Sequence, residues 1–353
     1  SPTAGTSGVR VARRAARGAG AGRAAAHSTR AAAFWRAARG GMSLTGARGA
    51  NTRAAPPCSA PPPPQDHPGA ARVSAPRARV RAIATRATVK NAAAGLLCAA
   101  GLDALARRRH RDALAILMFH GVEDRPPSPP CWHVSGAALF RRQLRYVRAH
   151  FNVLALEDAL DRLAGGTLPP RALAITFDDG TRNLATHAMP VLRELELPAA
   201  VFLATGPIGT DRTLWPDRLW LAIARSPARE IDLTPWGLGT RPLKSNIERG
   251  AAYAVVVEKL KNLPDPQRIA ALDEILCALG HHDDSDGGPF RMLSWEQARQ
   301  LAAEPLVTLY PHTVTHPILA RCDDAKLHRE ITESCAVIER ETGSPPTVFA
   351  YPN

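Results

Sequence analysis

From residue 113 onward the chain alternates short apolar runs with segments of helical spacing. Residues 113–119 form an apolar run that predicts a strand leading into His120-Gly121. Leu139, Phe140, Leu144 and Val147 recur at helical intervals, so residues 135–150 are expected to be helical. A short strand at 152–154 and a helix at 156–164 follow. The run Ala172-Leu173-Ala174-Ile175-Thr176-Phe177 then reads as a buried strand. A helix carrying Met189, Leu192 and Leu195 leads to another apolar strand at 199–204.

Residues 206–290 break this rhythm with Trp215, Trp220 and several helical stretches, and are expected to form an insertion. Alternation resumes where Ser294 is placed to cap a helix running through 303. A strand starting at Val307, a helix at 323–342 and a last strand at 347–351 complete the pattern. Strands alternating this regularly with helices favour a parallel barrel or a doubly wound sheet.

Charge divides the chain at the same place. Residues 1–112 hold 20 Lys and Arg against three acids (Asp66, Asp103, Asp112), a balance of +17. Residues 113–353 hold 25 bases and 29 acids, a balance of −4, so the overall +13 belongs to the N-terminal part. That part is Ala/Arg/Pro-rich and poor in large apolar residues, so it buries too little surface to order itself and is expected to be disordered. A basic arm for nucleic acid, an Arg-rich targeting segment, and upstream sequence with no evolved role are all compatible with it. No interleaved aromatics support the first, and no nucleic-acid partner is expected. The apolar window at 92–102 is too short to span a bilayer and reads as a surface or docking helix. With no clean export signal, the bacterial cytoplasm and the cell envelope both fit.

Six cysteines (Cys58, Cys98, Cys131, Cys277, Cys322, Cys335) contain no Cys-x-x-Cys spacing. That argues against a structural zinc module or a disulfide framework and for reduced, mostly buried thiols.

The candidate chemistry lies in two stretches, Thr176-Phe177-Asp178-Asp179-Gly180 and His312-Thr313-Val314-Thr315-His316-Pro317. The first places adjacent carboxylates at the carboxyl end of a strand, where barrel enzymes keep their chemistry. The second places two imidazoles four residues apart, able to converge in a helical turn or a short loop. One carboxylate and two imidazoles make a three-ligand set that leaves a metal position open, and the other carboxylate is free to act as a base. Taken singly, an Asp-Asp-Gly is a common polar turn and a histidine pair is commonly a surface feature. His120, at a strand end, could line the site. His281-His282-Asp283-Asp284 looks metal-like but sits among Asp286, Gly287 and Gly288, which marks a solvated loop. Trp215 and Trp220 are expected to pack inside the insertion rather than stack on sugars.

These motifs, in this order, resemble the first two motifs of the polysaccharide deacetylases, the carbohydrate esterase family that includes chitooligosaccharide and peptidoglycan deacetylases. Ile116-Leu117-Met118-Phe119-His120-Gly121-Val122, Phe202-Leu203-Ala204-Thr205-Gly206 and Phe349-Ala350-Tyr351-Pro352-Asn353 resemble further family segments, so the likeness covers about 113–353. It implies a distorted (β/α) barrel, here incomplete at the C-terminus. It implies Asp179, His312 and His316 as ligands of a divalent metal: zinc, with cobalt, manganese or iron as alternatives. It further implies Asp178 as the catalytic base and a backbone amide near Tyr351 as an oxyanion donor.

The implied reaction removes N-acetyl or O-acetyl groups from an amino-sugar polysaccharide or oligosaccharide. Chitin oligomers, peptidoglycan and exopolysaccharide all present the required acetamide. Two departures accompany the likeness. Ala350 stands where the family often has an arginine that positions the base. The chain also reaches Asn353 before the later motifs, including the histidine expected to protonate the leaving amine. A non-catalytic, metal-containing carbohydrate-binding protein derived from a deacetylase is therefore the second reading.

Overall fold

The computed structural model describes residues 9–12, 93, 95–97, 101–281 and 286–352. Backbone contacts gather residues 1–13 and 72–353 into one unit and 14–71 into another, and the second lies outside the described residues. Of the segment expected to be disordered, most lies outside them too. Its described parts are a strand, β1 (Val9–Ala12), helical residues at 93 and 95–97, and a helix, α1 (Leu102–Arg109). Among the described residues no helix is long and apolar enough to cross a membrane.

The elements then run β2 (Leu114–Phe119), β3 (Gly121–Glu123), β4 (Val134–Gly136), α2 (Ala137–His150), β5 (Asn152–Val153), α3 (Leu156–Gly165) and β6 (Ala172–Phe177). After a π-turn at Leu184–Ala188 come α4 (Met189–Leu195) and β7 (Ala199–Leu203). The region expected to be an insertion contains α5 (Trp215–Arg225), β8 (Glu230–Asp232), β9 (Thr240–Pro242), α6 (Asn246–Lys261) and α7 (Asp265–Ala278). The last elements are α8 (Trp295–Ala302), β10 (Val307–Pro311) and α9 (Asp324–Thr342).

A six-stranded sheet forms the centre, in the order β1-β2-β6-β7-β10, with β5 also paired to β6. Except for β1, every pairing in it is parallel. This is the α/β class expected from the alternation. β6 is buried at all six positions and β7 at all five, as strands covered on both faces must be. Leu173, Ile175, Phe177, Val201 and Leu203 face a core shared with α2, α4 and α8. Ala172, Ala174, Ala200, Phe202 and Tyr310 face α3 on the other side.

Local signals behave as the sequence suggests. α2 buries Phe140, Leu144 and Val147 on one stripe. Ser294 and Gln297 close a reciprocal capping box at the start of α8. Asp323 caps α9 by accepting from the Lys326 amide, and Gly343 ends it in the left-handed conformation. One expectation fails: residues 347–351 are extended but form no strand. A single backbone bond, Ala350 N to Pro311 O at 3.4 Å, links them to the sheet. Pro345, Pro346 and Pro352 bracket the segment and cannot donate to a ladder.

Residues 206–290 supply most of a second apolar core, with Leu219, Trp220, Ile231, Val256, Leu272 and Phe290 in it, joined by Cys131 and Val134. Trp215 and Trp220 are buried in it, which bears out packing over sugar stacking. Residues 282–285, most of the His281-Asp284 stretch, lie outside the described residues. No disulfide joins the described cysteines.

Phe140 is fully buried, edge-on to Phe119 at 5.0 Å and to Phe177 at 5.9 Å. Phe140→Ala should therefore lower unfolding free energy by about 3–5 kcal/mol in urea titration, through lost burial plus the cavity left beneath the sheet.

Candidate metal centre

The carboxyl ends of β2, β6, β7 and β10 lie side by side, and the chemistry-bearing residues leave the sheet there. Strand β2 delivers His120, β6 delivers Asp178 and Asp179, and β10 delivers His312. The Asp178 amide donates to Phe119 O at 3.0 Å, which keeps the β2–β6 pairing intact up to the first carboxylate. The chain then turns sharply: Asp179 has φ 74° and Gly180 φ 90°. A Cβ on Gly180 would lie 2.5 Å from Leu203 Cδ2 and 3.1 Å from Ile208 Cδ1, so a glycine is required there.

The histidine loop is held from several sides. The His312 amide donates to Leu203 O at 2.9 Å, and Thr205 and Gly206 donate to Thr313 O and Val314 O at 3.0 and 2.8 Å. Thr313 and His316 both adopt left-handed backbone, φ 71° and 56°, which costs on the order of 1–3 kcal/mol each for such residues. Thr313 Oγ1 offsets part of this by accepting from the His316 amide at 3.0 Å. The buried carboxylate of Glu330, on α9, accepts from the Val314 and Thr315 amides at 2.8 Å each and from the Thr315 hydroxyl. Trp215 Nε1 donates to His316 O at 3.1 Å, so the insertion also grips this loop. The spacing thus acts as a loop, not a helical turn.

Asp179, His312 and His316 are brought together, all buried, with ligand atoms within 4.8 Å of one another. Asp179 Oδ1 lies 3.2 Å from His316 Nε2 and 3.8 Å from His312 Nε2, yet accepts a hydrogen bond from neither. Ligands bonded at about 2.0–2.1 Å in a tetrahedron stand about 3.3–3.4 Å apart, so this spacing suits a divalent ion. His312 Nδ1 is 3.0 Å from Ala350 O; a donated N–H there leaves Nε2 with its lone pair toward Asp179. The residue in the arginine's place thus contributes its carbonyl to this histidine.

The surroundings tune these groups. Burial pushes the His312 ring down to about 3, so it is the neutral, ligating form at neutral pH. Burial would raise the Asp179 carboxyl, but the imidazoles of His316, His120 and His312 outweigh it and hold Asp179 well below the usual carboxylate range.

Residues 165–353 match the family model described as polysaccharide deacetylase. The chain belongs to the polysaccharide deacetylase family. Among curated relatives, the poly-beta-1,6-N-acetyl-D-glucosamine N-deacetylase of Staphylococcus epidermidis is 33% identical over 72 residues, 20% of this chain and 25% of that protein. The Staphylococcus aureus enzyme of the same name is 30% identical over 73 residues, again a quarter of its length. Of solved structures, IcaB from Ammonifex degensii aligns with TM-score 0.41 and 19% identity over 67% of this chain and 73% of that one. The Streptococcus pyogenes deacetylase PplD in complex with acetate gives 0.39 and 16% over 67% and 72%.

In this family member a cavity of about 500 Å³ opens onto the cluster, with His120, Asp178, Asp179, His312 and His316 in its wall. Tyr351 stands at its rim, 52% exposed. Sequence reasoning missed several lining residues, among them Trp132, His133, Asp217, Tyr253 and Lys261. His133 Nε2 pairs with Asp217 Oδ1 at 2.9 Å, both side chains buried, and His133 lies against Cys131 Sγ and the Phe290 ring. Burial opposes a charged His133, but Asp217 and Cys131 hold its ring well above the usual histidine range. Cys131-Trp132-His133 is the only sequence signal for this corner. Its partner, Asp217, is 84 residues away.

Burial also lowers His120, to about 4. Between about pH 4 and 6.5 the unfolded chain protonates His120 and His312 while the native chain does not, so lowering pH across this window costs stability. The melting temperature of chelator-treated protein should fall from pH 7 to pH 5. His312→Asn should flatten that slope; an unchanged slope would contradict the neutral, buried ring.

Proposed function

We propose that the protein is a metal-dependent hydrolase that removes N-acetyl groups from an amino-sugar polymer or oligomer. The observation that carries this reading is the buried Asp179–His312–His316 cluster, whose desolvated Asp179 Oδ1 has no hydrogen-bond partner among the described residues. Such an oxygen is costly unless a cation or donor meets it. A divalent ion bound there supplies Lewis-acid polarisation of the acetamide carbonyl and a lowered pKa for attacking water.

The chain's own residues do the rest. Asp178, adjacent in sequence but outside the triad, faces the same cavity and accepts the proton of the attacking water. His120, at the end of the neighbouring strand, lines the same cavity, and burial keeps its ring neutral, so the proton that reaches the departing amine nitrogen is the one Asp178 has taken from the water. A backbone amide near Tyr351 is assigned to hold the developing oxyanion. Ala350, in the place that the resemblance gives to an arginine, acts by its carbonyl on His312.

Acetate released from N-acetylglucosamine oligomers by the zinc-loaded chain tests the reading. Chelation should abolish release, and added zinc should restore it. Asp178→Asn should lower kcat by about 10²- to 10⁴-fold while leaving zinc bound. Glycan binding without metal-dependent release from any amide or ester would instead establish the non-catalytic carbohydrate-binding reading.

A further inference from the structure

Helix α6 turns one stripe toward the cavity. Tyr253, Val257 and Lys261, spaced four residues apart, all line it. Tyr253 is buried, Val257 is half-buried and packed on the insertion's core, and Lys261 closes the stripe at the helix's last residue. The insertion thus forms one wall of the cavity whose floor is the metal cluster and whose rim carries the exposed rings of Trp132 and Tyr351.

Lys261 is half-buried, and among the described residues no carboxylate forms an ion pair with its ammonium. A buried lysine ordinarily has a partner. Burial lowers its pKa, and the opposing charge that acts on it is Glu258, one turn back on its own helix. Of the three acids in the cavity wall, Asp217 is matched by His133 at 2.9 Å, Asp179 faces the imidazoles of His312 and His316, and Asp178 is engaged in an interaction of its own. The ammonium is therefore surplus positive charge in a cavity suited to a sugar ring.

We propose that Lys261 selects an acidic glycan: an N-acetylated amino-sugar chain with a carboxylate on the sugar next to the one that is deacetylated. This rests on the deacetylase reading and names its substrate class. The acetamide enters toward Asp178 and the metal cluster. The neighbouring sugar lies along the α6 wall, where its carboxylate meets the Lys261 ammonium in a site partly withdrawn from water. An ion pair so placed is stronger than one on an open surface, and it weakens with added salt.

The test compares two acetylated oligosaccharides of equal length with the zinc-loaded full chain. One is a neutral N-acetylglucosamine oligomer, the other alternates N-acetylglucosamine with glucuronic acid. At low salt kcat/KM for acetate release should be roughly three- to tenfold higher on the acidic chain, the difference lying in KM. Lys261→Gln should bring the ratio of the two kcat/KM values to about one, and Lys261→Glu should invert it. Raising ionic strength should shrink the wild-type preference. Equal use of both chains by the wild type, or a preference that survives Lys261→Gln, overturns the proposal. A second readout, calorimetric binding of the two oligosaccharides, separates this proposal from the reading it rests on. Binding preference that depends on Lys261, without acetate release, would keep the acidic subsite and remove the deacetylase. Release from both chains at equal efficiency would do the reverse.

Discussion

The structure turns on a carboxylate, Asp179, held out of water at the end of a central strand. An isolated desolvated charge of this kind is expensive, and the fold answers it with imidazoles from elsewhere in the chain. Bringing them there requires parallel register across β6, β7 and β10, because Asp179 leaves one strand of that set and His312 another. It also requires close approach. Gly180 lets the carboxylate turn pass under Leu203. Gly206 runs against Val314 O so tightly that a Cβ would lie 2.6 Å from it. Two backbones and two motifs thus meet in a layer with no spare volume.

That layer is braced from behind and from above. Behind it, Glu330 spends its carboxylate on the amides and hydroxyl of the histidine loop, stabilising the left-handed residues Thr313 and His316. Above it, Trp215 of the insertion binds the His316 carbonyl and stacks under the Arg268 guanidinium at 4.9 Å. Arg268 pairs with buried Asp265, which Lys326 of α9 also reaches. Residues 206–290 are therefore tied into the support of the Asp179–His312–His316 cluster as well as walling its cavity. Asp217 and Lys261, both from this region, line the same cavity.

Much of the fold and of the centre was legible in the residues alone. Short apolar runs marked the parallel strands of the sheet, of which β6 and β7 are buried on both faces, and 3.6-residue spacing marked the helices packed on it, which bury one. Ser294 and Asp323 marked helix starts, since orphan amides there need a side-chain acceptor. Asp178, Asp179, His312 and His316 stood out because local sequence fully specifies them: a strand end, a glycine turn and a short loop. The strand expected at 347–351 was misread because a short apolar run looks alike whether or not a ladder partner lies beside it.

What the chain's order of residues determined by itself is the α/β alternation, the split between a basic N-terminal part and an almost neutral remainder, and the identity of the paired motifs. Tertiary structure alone decided that His133 meets Asp217 across 84 residues, that Glu330 holds the histidine loop, and that Lys261 looks into the same cavity as Asp178. The physical reason is range. Propensity, capping and periodicity act over a few residues and leave a local signature. A buried ion pair or a cavity wall depends on which distant surfaces pack together, and no spacing along the chain records that.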